Sequence, residues 1–351
     1  MEVPTFASQM IFHPGNCINA KKPFASVCRQ CVELCPHDAV SEIKKVDPGK
    51  CTDCGVCMAV CPSDGFVDRT LDDLHKHIFE ADRVVINCPA AQPGTHEIGC
   101  IGMFDRDVWS VLMLLSDRKE VRVLTGDCAA CEDLQACARS ISVLQELLRQ
   151  WTLPNKLKIE ITPWDGRTVA VPAVGASVPS DPPAPQTVGE LREKKKLKDK
   201  LKAMLPPLIA DETYAIPRAR QWLLEALEPV PEHKIPFPAL KISEQCSACG
   251  VCARVCPQDA LTHTREPGLE RFIYRPSLCV HCQRCVKACG SKAVSLENMP
   301  LNARYLQGNI LLREIRPRFC ASCGHQIFHK AEPGLCISCA RKDPELKGIL
   351  Y

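Results

Sequence analysis

The sequence has no run of residues long and apolar enough to cross a bilayer. Met1 to Gly15 has no apolar core and no twin arginine, so no secretory leader is read there. Aromatic residues are scarce, at 5% of the chain, which argues against a large conventional core. No sign of charge dominates: the net +3 makes no case for a nucleic-acid partner. Also missing are a G-x-G-x-x-G opening a βαβ unit, a P-loop, a nucleophile elbow and a zinc-hydrolase helix motif. These absences predict a soluble, cytoplasmic protein with no direct membrane insertion and no nucleotide or flavin site of its own.

What the chain has is cysteine, 25 in 351 residues, with 29 prolines. Dense cysteine in a short secreted chain would mean disulfides, but here the length and the missing leader point to reduced, metal-bound thiols. The length suits two or three domains. Small modules stapled by metal need little core, because the metal supplies folding energy.

The organising stretch reads Cys246, Cys249, Cys252, Cys256-Pro257, then Cys279, Cys282, Cys285, Cys289. Each quartet is C-x2-C-x2-C-x3-C, a spacing that wraps three thiolates round one face of a cubane and sends the fourth away. Two such runs in tandem resemble the bacterial two-cluster ferredoxins, in which the fourth cysteine of each run ligates the other cluster. The resemblance implies one 4Fe–4S cluster on Cys246, Cys249, Cys252 and Cys289, and a second on Cys279, Cys282, Cys285 and Cys256. Zinc or free thiols are the competing readings.

Near the start, Cys51, Cys54, Cys57 and Cys61-Pro62 repeat the regular run. Ahead of it stand Cys17, Cys28, Cys31 and Cys35-Pro36, with a first gap of ten residues instead of two. The same resemblance implies clusters on Cys17, Cys28, Cys31, Cys61 and on Cys51, Cys54, Cys57, Cys35. The long gap leaves a three-cysteine site open, holding a 3Fe–4S cluster or an outside ligand. The prolines after Cys35, Cys61 and Cys256 stop each helix and turn the chain. After Cys289, Gly290 is expected to turn through positive φ. The segments Pro36-His37-Asp38-Ala39-Val40 and Pro257-Gln258-Asp259-Ala260-Leu261 mark an internal repeat of the whole module.

Between the two modules, the pattern predicts strands at Arg83–Asn87, Val121–Thr125 and Leu157–Thr162, with a fourth at Thr168–Val171. Helices are predicted over Asp105–Arg118, capped by Asp105 or Asp107, and over Glu132–Gln150 with an apolar stripe of Leu134, Cys137, Ile141, Leu144 and Leu148. That order argues for a small parallel sheet with right-handed crossovers. Sites in such sheets form beyond the carboxyl ends of the strands. There the sequence sets Cys88 and Cys100 in one loop and Cys128 and Cys131 in another, enough for a cluster or a zinc ion. Scattered, buried free cysteines are the alternative. Cys137, on the apolar stripe, is read as core. The Gly99-Cys100 and Gly126-Asp127-Cys128 loops resemble the small iron–sulfur domain of the delta subunit of methyl-viologen-reducing hydrogenases. An organic active site using Asp127 or His96 is also conceivable.

Pro172 to Gly189 reads as a linker. Glu190–Leu205 reads as a basic helix, either a solvated face or a grip for an acidic partner. A short helix is predicted at Arg218–Leu227. The last module carries Cys320-x2-Cys323, twelve residues, then Cys336-x2-Cys339. Two such knuckles describe a ribbon-type tetrahedral site, for zinc or for a mononuclear iron of rubredoxin type. His325 and His329 could replace one ligand.

The expected architecture is therefore α+β and multi-module. Two dicluster ferredoxin modules (1–70 and 241–300) flank a small parallel α/β domain (71–171). A linker and helical segment follows at 172–240, and a zinc-ribbon-like module closes the chain at 301–351. Four 4Fe–4S clusters, one zinc and a further cluster in the middle domain are the expected cofactors. The chain also looks like polyferredoxins and is similar to the iron–sulfur subunits that serve molybdopterin oxidoreductases or hydrogenases. The resemblance implies single electrons relayed between such a redox enzyme and a second donor or acceptor, through subunit contacts. Two other readings stand beside it: an oxidoreductase acting on a small substrate at the middle domain, and a maturation factor using the ribbon as a docking platform.

Overall fold

In the first module two strands, β1 (Met10–Phe12) and β2 (Phe66–Asp68), pair antiparallel and bring both ends of the cysteine-bearing stretch together. The computed structural model describes residues 10–21, 27–68, 70–162, 216–266, 268–316, 318–327 and 334–342. The expected strand at Thr168–Val171, the linker and the basic helix lie outside the described residues. Between β1 and β2 run three one-turn helices, α1 (Ile18–Lys21), α2 (Gln30–Glu33) and α3 (Val56–Ala59). Helices this short have no stability of their own. They are held by packing, with Cys31 and Cys57 buried against Met10, Val40 and Phe66.

The middle of the chain adds α4 (Leu71–Glu80), β3 (Arg83–Asn87), β4 (His96–Glu97), α5 (Arg106–Leu115), β5 (Glu120–Thr125), α6 (Leu134–Gln150) and β6 (Lys158–Ile161). All four strands are parallel, in the order β4-β3-β5-β6, with Ile86 opposite Val123 and Val123 opposite Ile159. Asp105 caps α5, its carboxylate accepting the Val108 N–H at 2.8 Å. Every residue from Asp107 to Leu115 is buried, because α5 lies between β5 and α7 (Arg218–Leu227). On α6 the expected stripe is displaced. Leu134 and Leu148 are exposed, and the inward face is Ala136, Cys137, Ser140, Leu144 and Leu147. Ser140 belongs inside because its hydroxyl accepts the Trp109 Nε1–H at 3.0 Å.

The second cysteine-rich module follows through β7 (Ile235–Ile242), α8 (Val251–Arg254), β8 (Leu261–Glu266), β9 (Leu269–Tyr274), α9 (Arg284–Lys287), β10 (Val294–Leu301), α10 (Ala303–Gln307) and β11 (Ile310–Ile315). β7 and β10 pair antiparallel from Ile242–Val294 to Ile235–Leu301. Pro236, Pro238 and Pro300 are tolerated in them because each strand of a two-stranded sheet has an open edge. β11 lies beyond residue 300 and yet pairs with β9, so this module's second sheet continues to Ile315. The last described piece holds β12 (Arg318–Phe319), β13 (Gln326–Ile327) and α11 (Ile337–Ala340). Among the described residues, no helix is long and apolar enough to cross a membrane.

Candidate metal centres

The sixteen cysteines of the four runs gather in fours. Burial pushes the Cys31 thiol up to about 11; Lys44 opposes this, while Cys61, Cys28 and Cys17 add to it. The same Cys17, Cys28, Cys31 and Cys61 line one small apolar cavity, so the structure returns Cys17 across its ten-residue gap. Cys35, Cys51, Cys54 and Cys57 line the next. There burial raises Cys57, and Cys54, Cys51 and Cys35 raise it further. In the second module burial raises Cys252 to about 12, with Cys246, Cys289 and Cys249 as its thiol neighbours. Burial also raises Cys285, with Cys279, Cys256 and Cys282 beside it. In every group the fourth thiol comes from the other run. Such thiols become thiolates together only when a cationic core takes up their charge, which is the donor chemistry of an iron–sulfur site.

The backbone is shaped round these groups. In the regular run starting at Cys51, Asp53 and Gly55 have positive φ (55° and 73°). Ala248 and Gly250 (59° and 75°) and His281 and Gln283 (51° and 59°) are their counterparts. Positive φ costs a non-glycine residue about 1–2 kcal/mol, so its recurrence marks a required shape. Alternating handedness turns successive N–H groups inward, making a nest for an anionic cluster. The irregular run lacks this loop: Arg29, between Cys28 and Cys31, has φ −125°.

Each run also ends in a left-handed residue three places after its last cysteine: Asp38, Asp64, Asp259 and Lys292. The final turn was expected at Gly290 and lies instead at Lys292 (φ 52°). This bend delivers an N–H to the fourth sulfur, from Ala39 to Cys35 at 3.3 Å, Gly65 to Cys61 at 3.0 Å and Ala293 to Cys289 at 3.2 Å. N–H···S bonds of this kind tune cluster potentials.

Comparison with known proteins agrees with this geometry. Residues 245–293 match the family described as a 4Fe-4S dicluster domain, and residues 44–66 match the 4Fe-4S binding domain. A 7Fe ferredoxin of Hydrogenibacillus schlegelii is 51% identical over 35 residues, which is 9% of this chain and 45% of that protein. An uncharacterised ferredoxin of Methanocaldococcus jannaschii is 30% identical over 54 residues, 15% of this chain and 70% of its own length. The chain belongs to the 4Fe–4S ferredoxins. Its two ferredoxin regions support iron–sulfur electron transfer and fit a multi-module α+β build.

Between its cluster-binding regions this ferredoxin carries a further group of thiols. A cavity of about 250 Å³ at the carboxyl ends of β3 and β5 is lined by Cys88, Cys100, Cys128, Cys131 and Cys137. Backbone N–H groups point at three of these sulfurs: Gly126 at Cys88 (3.4 Å), Gly102 at Cys100 (3.3 Å) and Asp133 at Cys131 (3.4 Å). Cys137 is buried, as a core residue would be, but its thiol lies 3.0 Å from the Cys128 sulfur. Burial raises Cys137 well above a free thiol, and Cys128, Cys100 and Cys88 add to the effect. Asp127 accepts the Ala129 N–H at 3.1 Å, a turn-forming role, and His96 stacks on His77 away from the cavity lining.

In the last module the ligand atoms of Cys320, Cys323, Cys336 and Cys339 lie within 4.8 Å of one another, a set that can hold one metal ion. The two knuckles are tied by the Ala321 N–H to the Gly334 carbonyl, 3.1 Å. His325 contributes its carbonyl to the Cys320 N–H, and His329 lies outside the described residues. Sequence reasoning missed Asp133. It is buried, receives the Thr52 hydroxyl at 2.7 Å and pairs with His37 Nε2 at 2.7 Å, joining the Cys51 loop to the middle cavity.

Proposed function

We propose that this ferredoxin is a relay carrying four 4Fe–4S clusters. The ligand sets are Cys17, Cys28, Cys31, Cys61; Cys35, Cys51, Cys54, Cys57; Cys246, Cys249, Cys252, Cys289; and Cys256, Cys279, Cys282, Cys285. The observation that carries this reading is the crossed grouping of the thiols, with the fourth member of each set coming from the partner run. A cubane exchanges one electron with little rearrangement, and no run leaves a ligand position open for substrate. The relay therefore works between partners, a redox enzyme of molybdopterin-oxidoreductase or hydrogenase type on one side and a second donor or acceptor on the other.

The middle cavity suits a further iron–sulfur centre. Cys88, Cys100, Cys128 and Cys131 line it, and the buried Cys137, 3.0 Å from the Cys128 sulfur, joins them as a fifth candidate ligand. The Cys320 site is closed by four cysteines and suits structural zinc. Dithionite titration of anaerobically prepared protein, followed by visible absorption and EPR, tests the relay. A relay bleaches in one-electron steps and turns over only when a redox partner is added. Substrate-dependent reoxidation by the isolated chain would instead favour an enzyme at the middle cavity.

A further inference from the structure

The gap after Cys17 is ten residues long, where the regular runs have two. In the fold its described first turn, Ile18–Lys21, makes a joint between the two ferredoxin modules. Arg284, inside the Cys282–Cys285 interval, is buried at 4% exposure. Its Nη1 donates to the Ile18 carbonyl at 3.0 Å, and its Nη2 to the Asn19 side-chain oxygen at 3.1 Å. That same Asn19 oxygen accepts the Cys28 N–H at 2.8 Å, and the Asn19 amide donates to the Cys28 carbonyl at 2.9 Å. One asparagine thus grips a cysteine of the first module and the arginine of the second. A third bond joins Lys21 Nζ to the Gln258 side-chain oxygen at 2.5 Å, two residues beyond Cys256. All three run from the turn after Cys17 to residues beside cysteines of the Cys256 set.

The remaining neighbours are also defined. Cys31 and Cys57 are buried in one core cluster, with Cys35 and Cys51 packed against it, and the short helices bearing Cys252 and Cys285 pack on each other, so each module's two sets adjoin. Gly102, whose N–H points at the Cys100 sulfur at 3.3 Å, lies against the Cys54 loop. The Gly102 backbone lies so close to the Cys54 carbonyl that a Cβ there would meet it at 2.8 Å.

We infer that the centres stand in one unbranched file: the Cys246 set, the Cys256 set, the Cys17 set, the Cys35 set and the middle cavity. In this file the turn Ile18–Lys21, clasped by Arg284, places the two ferredoxin modules in series. This rests on the cluster reading proposed above. A single electron crossing the joint oxidises one cubane and reduces the next, and no bond or proton need move. Cys249, at the far end, is exposed, which gives the file an outlet to solvent or a partner.

A guanidinium between two anionic clusters favours the reduced form of both, and so raises both potentials. The test is an EPR-monitored redox titration of Arg284→Met in the full chain, after iron and sulfide analysis has shown four cubanes in the wild type. Failure of that analysis would overturn the cluster reading rather than the file. With four cubanes present, the file predicts that two centres, one in each module, shift to lower potential, that the outer two stay put, and that Arg284→Lys restores much of the shift. A shift confined to one centre, or none, overturns the joint. Should Arg284→Met fail to load clusters, a Cys54→Ser and Cys249→Ser double variant removes or converts the outer cubane of each module and leaves the two inner cubanes intact. Spin–spin interaction between them when reduced supports the file, and two isolated signals overturn it.

Discussion

Replacing Arg220 by methionine should be among the most damaging single changes outside the cysteines. Arg220 projects from α7 and is 4% exposed at its side chain. Its Nε lies 2.7 Å from the Asp107 carboxylate on α5, and its Nη1 donates to the Pro276 carbonyl at 3.0 Å and the Cys279 carbonyl at 3.4 Å. Its carbon centre lies 4.4 Å from the middle of the Phe237 ring. One side chain therefore ties the middle helix to the second ferredoxin module. Methionine keeps much of the apolar stem but leaves the Asp107 charge buried and unpaired, at a cost of about 3–5 kcal/mol. At roughly 2–4 °C per kcal/mol for a domain of this size, thermal loss of the visible cluster absorption should come about 10 °C earlier at the same scan rate. A second change, Asp107→Leu, removes the stranded charge and should return most of the loss. If Arg220→Met bleaches within about 2 °C of the wild type, or if the double variant fares worse than the single one, the ion pair does not hold these elements together.

Other expectations follow from the same geometry. Cys54→Ser and Cys282→Ser should each bleach or convert one cluster and leave its neighbour in place; unchanged iron content in either variant would contradict the ligand sets. Cys137→Ala should abolish the middle centre, seen as loss of iron and of one EPR signal; unchanged iron and EPR would return Cys137 to the core. Loss of hydration and then the Asp107 charge raise Asp105 to about 7. Below the ordinary carboxylate range both folded and unfolded chains hold that proton. From there up to about 7 only the folded chain does, so stability falls as pH rises through this window. Asn keeps the cap without the charge, so Asp105→Asn should gain thermal stability at about pH 8 and nothing at about pH 4. Equal gains at both would refute the assignment.

How much of this could be read from the chain differs by feature. The cysteine runs are local, and the strand at Arg83–Asn87 and the helix at Arg218–Leu227 have the same ends in the fold as in the pattern. Cys137 was harder, because a helical stripe says that a thiol points inward but not whether it meets side chains or a cavity. The left-handed turns at Ala248, His281 and Gln283 fall on residues that ordinarily avoid them, so only the folded loop reveals the nest. The joint between modules was beyond sequence reasoning altogether: Arg284 and Asn19 stand 265 positions apart, and neither type nor spacing hints at the other.

The most direct test is metal analysis of anaerobically purified protein: iron, acid-labile sulfide and zinc per chain. Four cubanes require about sixteen irons with matching sulfide, the middle centre adds to that number, and the Cys320 site adds one zinc. Colourless protein holding zinc and no sulfide would contradict the account at its root.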